Sequence, residues 1–104
     1  MMKYQLALQF PGRLGADYDT MVTLEAALTA ALGEGAEVDG HDVGSDAMNL
    51  FIFTDDPHAT FEQVKSLLER HEQLEWVTAA YREVDSERYT VIWPPDWRKE
   101  FKIG

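Results

Sequence analysis

Apolar and polar side chains alternate over the first ten residues. Apolar side chains occupy every second position from Tyr4 to Phe10, the period of a β-strand that places one face against a core. The spacing then lengthens to three or four residues over 17–32, which predicts a helix with one buried stripe and Asp17 as its N-cap. Two glycines follow shortly afterwards and act as stop signals.

The middle of the chain predicts two strands and a second helix. Ala36–Val43 is polar and acidic, which is typical of an edge strand, whereas Met48–Thr54 is the most apolar stretch of the sequence. An acidic pair and Pro57 then provide a helix start, with proline in the first turn. This helix is predicted to run to about Leu74.

Two further strands, Trp76–Val84 and Arg88–Trp93, are predicted near the C-terminus, with a tight turn between them. The element order is therefore β-α-β-β-α-β with one extra strand. We expect a single domain over residues 1–104 with an α+β, ferredoxin-like plan. In this two-layer sandwich both helices cover one face of an antiparallel sheet, and the first and third strands lie at its centre.

The predicted third strand is apolar on both of its faces. Leu50, Phe51, Ile52 and Phe53 cannot all point to one core, because successive side chains of a strand point to opposite faces. Two of them must lie away from the helices, where a second chain or the C-terminal segment could cover them. The aromatic residues available in that segment are Trp93, Trp97 and Phe101.

Composition narrows the classes of function. The chain contains no cysteine, which excludes disulfides, thiolate metal sites and cysteine nucleophiles and fits a reducing cytoplasm. The longest apolar run is about four residues, far below the ~20 that span a membrane, and the N-terminus lacks a signal-peptide pattern. We therefore expect a cytoplasmic protein with no membrane partner.

Charge is distributed unevenly along the chain. The formal net charge is −10, and residues 14–64 hold eleven of the nineteen acidic residues and none of the nine Lys and Arg residues. This half would repel the phosphate backbone of a nucleic acid and attract a basic protein. We expect no specific nucleic-acid binding and consider a basic protein partner, although a solubilising surface has the same composition.

Candidate chemistry concentrates around one imidazole. Asp39 and His41 lie two residues apart and are predicted to share a strand face, where a carboxylate could fix the histidine tautomer or both could bind a divalent metal. The spacing matches neither a zinc pattern nor a calcium loop, and an ordinary solvated edge strand also fits. We assign no catalytic residue, no metal ligand and no cofactor.

Two stretches resemble the pattern of small uncharacterised bacterial proteins. They are Glu37–Asp42, which reads EVDGHD, and Asn49–Pro57, which reads NLFIFTDDP. The resemblance implies a stand-alone bacterial domain, and it implies no activity and no functional residue.

The leading hypothesis is a non-enzymatic binding or protein-interaction domain that forms a homodimer through its open sheet face. An acidic immunity protein for a basic toxin is one alternative. The other is a small cofactor-independent enzyme of the dimeric α+β barrel type, whose pocket would need His41, Asn49 or Trp76 to point inward. The candidate residues for a pocket or interface are Asp39, His41, Asn49, Phe51, Phe53 and Trp76.

Overall fold

The computed structural model describes residues 2–11, 18–33, 35–43, 47–97 and 101. The predicted N-cap Asp17 lies outside the described residues. The elements, in chain order, are β1 (Tyr4–Pro11), α1 (Tyr18–Ala31), β2 (Ala36–Val43), β3 (Ala47–Thr54), α2 (Pro57–Arg70), a 3₁₀ turn (Leu74–Trp76), β4 (Thr78–Glu83) and β5 (Thr90–Trp93).

The strands form one five-stranded sheet in the order β2-β3-β1-β4-β5, and every neighbouring pair is antiparallel. The predicted α+β class with an antiparallel sheet and two helices is confirmed. Both β1 and β3 are interior strands, and β5 adds a fifth strand beyond β4. This five-strand order therefore differs from that of a four-stranded ferredoxin-like sheet.

Both helices pack on the same face of the sheet. The main core lies between them and the sheet, and it combines the even-numbered positions of β1 and β3 with apolar side chains of α1 and α2. Its fully or almost fully buried members include Leu6, Leu8, Leu24, Leu28, Leu50, Ile52, Val64 and Leu68. The alternation in β1 thus predicted correctly which side chains face the core.

Helix α2 begins as its sequence predicts and ends earlier. The Asp56 side chain accepts a hydrogen bond from the Ala59 amide at 3.0 Å, and Pro57 follows in the first turn. The predicted continuation to Leu74 is wrong. Glu72 adopts a positive φ of 60°, and the Gln73 amide donates to the Leu68 carbonyl at 2.9 Å, which closes the helix end.

The two C-terminal strands are shorter than predicted. Trp76 belongs to the 3₁₀ turn and precedes β4, and β5 begins only at Thr90. The Arg82 Nη1 atom donates to the carbonyl oxygens of Glu83, Val84 and Ser86 at 3.2, 3.0 and 2.9 Å. These bonds hold the end of β4 and the start of the connecting segment around the guanidinium group.

Candidate functional site

The third strand divides its apolar side chains between two environments. Leu50 and Ile52 are fully buried beneath the helices. Phe51 and Phe53 lie on the opposite sheet face and are partly exposed. We call this face, away from both helices, the open face.

The centre of the open face is a row of registered residues from four strands. Phe51, Ala7, Ala80 and Val91 are successive Cα partners across β3, β1, β4 and β5. The two alanines are completely buried and form a floor between larger neighbours. The side chain of Phe101, which is 9% exposed, packs into this depression, and we call it the Phe101 socket.

Tyr89 completes the Phe101 socket. Its ring lies 5.1 Å from that of Phe101, centroid to centroid, and its hydroxyl donates to the Gln5 Oε1 atom at 3.3 Å. The same Gln5 oxygen accepts a bond from Arg82 Nε at 3.0 Å. One polar network therefore holds a wall of the socket in place.

Of the aromatic residues Trp93 and Phe101, only Phe101 covers the open face. Phe101 occupies its centre, whereas Trp93 lies on the helix side. The Trp93 ring is 6.1 Å from that of Phe61, and Lys65 Nζ sits 4.5 Å above it. The pairing of β4 and β5 shifts register between Ala79 and Ala80, which turns Trp93 toward the main core.

The next row of paired residues on the open face, beside the central row, is polar. Asn49 is completely buried, and its Oδ1 atom accepts a hydrogen bond from Gln9 Nε2 at 3.1 Å. The Asn49 Nδ2 and Trp97 Nε1 atoms are buried without a hydrogen-bond partner in the described part of the chain. Gln9, Thr78, Trp76 and Trp97 line a nearby cleft of about 440 Å³.

The predicted pairing of Asp39 with His41 is not what the structure shows. In the pairing of β2 with β3, Val38 lies opposite Ile52 and Gly40 lies opposite Phe51. Asp39 between them has no opposite residue on β3, which is a β-bulge. The bulge breaks the strict alternation on which the prediction rested. His41 instead lies 2.9 Å from a carboxylate of α1, from Nδ1 to Glu25 Oε2.

The structure does not bring the predicted pocket residues together. His41 is the partner of the core residue Leu50 and contacts α1, so it lies on the helix side of the sheet. Asn49 is on the open face, and Trp76, 41% exposed, lines the cleft beside it. The sheet thus separates the imidazole from the other two side chains.

Acidic side chains border the open face along β2. Glu37 is the Cα partner of Phe53, and Asp42 is that of Asn49; both acids are exposed, as is Asp39 at the bulge. Within the described residues, no three acidic or histidine side chains are grouped so that they could hold a metal ion. Nor is any described helix long and apolar enough to cross a membrane.

The sequence did not reveal the Phe101 socket. Its floor consists of alanines, which carry no distinctive signal, and its parts come from positions as distant as Ala7 and Phe101. The only hint was an aromatic residue within the basic C-terminal segment. No protein family, curated protein or solved structure matches the chain.

Proposed function

We propose that this protein is a non-enzymatic protein-binding domain that uses the β2–β3 side of its open face. One observation carries the proposal. Phe53 lies partly exposed on the open face and belongs to neither buried cluster. A partly exposed aromatic side chain next to a second one, Phe51, is the kind of anchor that protein interfaces bury.

Charge supports a basic partner. Exposed Glu37 lies opposite the anchor Phe53 on β2, exposed Asp42 lies further along the same strand opposite Asn49, and residues 14–64 contain no Lys or Arg. A partner with an apolar centre and a basic border would match this arrangement and would be steered toward it. A basic toxin bound by an immunity protein would be one partner of this kind.

Two other statements belong to the proposal. We infer that the fold is a ferredoxin-like βαββαβ sandwich extended by one strand, because the first four strands lie in the order β2-β3-β1-β4 with both helices on one face. We also propose that the domain acts in the cytoplasm, which its lack of cysteine fits.

A homodimer through the same face is the alternative assembly. It would bury Phe51 and Phe53, but it would bring together two chains that each carry a net charge of −10. The enzyme alternative has less support, because His41 and Asn49 lie on opposite faces of the sheet. We therefore favour a basic protein partner.

The proposal is tested by comparing three immobilised baits: the natural chain, Phe53→Ser and Val22→Ser. Val22 is an exposed apolar residue of α1 and serves as a matched control. We expect a captured protein to bind the natural chain and Val22→Ser equally, and Phe53→Ser roughly tenfold or more weakly, as at an aromatic anchor. Calorimetry with the purified partner then gives its affinity for each of the three chains.

Salt provides a second criterion. Binding to an acidic surface should weaken as ionic strength rises, and Glu37→Gln should reduce this dependence. Capture that survives in Phe53→Ser, or that shows no dependence on salt, would count against the proposal. Far-UV circular dichroism of each bait checks that the variants are folded.

A further inference from the structure

The cleft of about 440 Å³ beside the polar row of the open face has the dimensions of a small-molecule site. Its described walls come mainly from the end of β1, the 3₁₀ turn, the start of β4, and Pro94 and Trp97 after β5. The Trp97 amide donates to the Pro94 carbonyl at 3.2 Å, a turn that holds the indole at the wall. We call this cleft the tryptophan cleft.

Two indoles give the tryptophan cleft its apolar surface. Trp97 is half-buried, whereas Trp76 is 41% exposed. Within the described residues, only Val22 is a comparably exposed large apolar side chain. An indole exposed on the wall of a cleft offers a flat apolar surface to whatever occupies the cleft. A ligand with an apolar ring face would cover it.

Two unpaired N–H groups lie at the same end of the sheet. Trp97 Nε1 and Asn49 Nδ2 are buried without a hydrogen-bond partner among the described residues. Asn49 lies directly behind the cleft wall, because it is the Cα partner of Gln9, a wall residue. A buried donor without a partner destabilises the protein. An occupant that supplies an oxygen acceptor to Trp97, and through a bridging water to Asn49, would relieve this cost.

Charge and hydrogen bonding narrow the class of ligand. Glu75 is the one charged residue among the described residues of the cleft wall, and the chain has a net charge of −10, so an anion would be repelled. An ammonium cation has no acceptor for the Trp97 N–H group. A hydroxyl group meets both conditions, because it can accept from the indole and donate to a carboxylate.

We propose that the tryptophan cleft binds a neutral cyclic compound with several hydroxyl groups, which is the chemistry of a saccharide. The apolar face of its ring would lie on the Trp76 indole. One hydroxyl would accept from Trp97 Nε1 after a small rotation of that side chain, and a second would donate to Glu75. The described wall of the cleft does not include Phe53, and the inference does not rest on the proposed function.

The test follows the indole N–H signals of the ¹⁵N-labelled full chain during separate titrations with glucose, galactose and N-acetylglucosamine. The three tryptophans, Trp76, Trp93 and Trp97, give three such signals. We expect the Trp97 signal to shift with at least one sugar, with a Kd on the order of millimolar, as for one ring at ordinary ligand efficiency. The Trp93 signal should stay in place, because that indole lies on the helix side.

Three variants and one further probe define the contact. Trp97→Phe keeps an aromatic side chain and removes the N–H group, so affinity measured from the Trp76 signal should fall about three- to tenfold. Trp76→Ser removes the exposed ring, and affinity measured from the Trp97 signal should fall about tenfold. Trp93→Phe is the matched control and should bind as the natural chain does. Glycerol, which has hydroxyls and no ring, should bind at least about tenfold more weakly than the sugar.

Several results would overturn the inference. One is no shift of either cleft indole with any of the three sugars at high millimolar concentration; another is glycerol binding as tightly as the sugars. Tighter binding of glucuronate than of glucose would show that the ligand is an anion. A response to N-acetylglycine methylamide alone would identify a peptide as the occupant. Equal losses of affinity in Trp97→Phe and Trp93→Phe would place the contact elsewhere. None of these results changes partner capture by Phe53→Ser, so the proposed function is judged separately.

Discussion

At the scale of single residues, Thr54 joins three parts of the structure. It is the last residue of β3 and is completely buried. Its hydroxyl lies 2.7 Å from that of Thr60 in α2 and accepts a hydrogen bond from the Asp56 amide at 3.0 Å. A buried hydroxyl shared in this way fixes the connection from the sheet to the helix.

Thr54→Val should therefore destabilise the protein while preserving its shape. The valine would leave the Asp56 amide and the Thr60 hydroxyl without this partner, and a buried group that loses its partner costs about 1–3 kcal/mol. Urea unfolding monitored by circular dichroism measures the loss.

Thr29→Val is the matched control for this variant. The Thr29 hydroxyl donates to the Glu25 carbonyl on the exposed surface of α1, where water can replace the bond. We expect its free energy of unfolding to change by less than about 0.5 kcal/mol. Equal effects of the two substitutions would show that the Thr54 hydroxyl has no special role.

At the scale of elements, Arg82 organises the end of the sheet. Its Nε atom binds Gln5 of β1, and its Nη1 atom binds three carbonyls around the β4–β5 connection. The guanidinium group also lies 6.0 Å from the Tyr89 ring centroid. One planar cation thus connects two strands, a loop and a wall of the Phe101 socket.

Arg82→Lys should loosen this region although it keeps the charge. A lysine ammonium cannot reproduce the fork of donors that a guanidinium provides, so carbonyls of the loop would lose their partner. We expect faster amide hydrogen exchange for residues 84–91 and little change in α1. Unchanged exchange in 84–91 would contradict this assignment.

At the scale of the whole molecule, charge opposes self-association. Each chain of 11.9 kDa carries a net charge of −10, and repulsion between like-charged chains acts over about 10 Å at 0.1 M salt and further at lower salt. The partly exposed Phe51 and Phe53 favour contact between open faces, so the two effects compete.

We therefore expect light scattering to give one chain mass at low ionic strength, with any dimer increasing as salt screens the repulsion. Phe53→Ser should remove such a dimer. A stable dimer at low salt would instead support the homodimer that the apolar third strand suggests.

The local pattern of the sequence determined much of the architecture. Alternation in β1 and β3 assigned Leu50 and Ile52 to one face and Phe51 and Phe53 to the other, because side-chain direction in a strand depends only on position. Helical spacing and the acidic pair before Pro57 predicted α2 and its start for the same local reason, and the structure identifies Asp56 as the cap. The acidic character of β2 also followed from the sequence alone.

Other features depend on contacts between distant parts of the chain, and only the tertiary structure decided them. The bulge at Asp39 reflects how β2 pairs with β3, and a register shift against β4 sends Trp93 to the helix side. The Phe101 socket needs Ala7 and Ala80 to be neighbours, although they are far apart in sequence. Register and packing arise from such long-range pairs, and no local period encodes them.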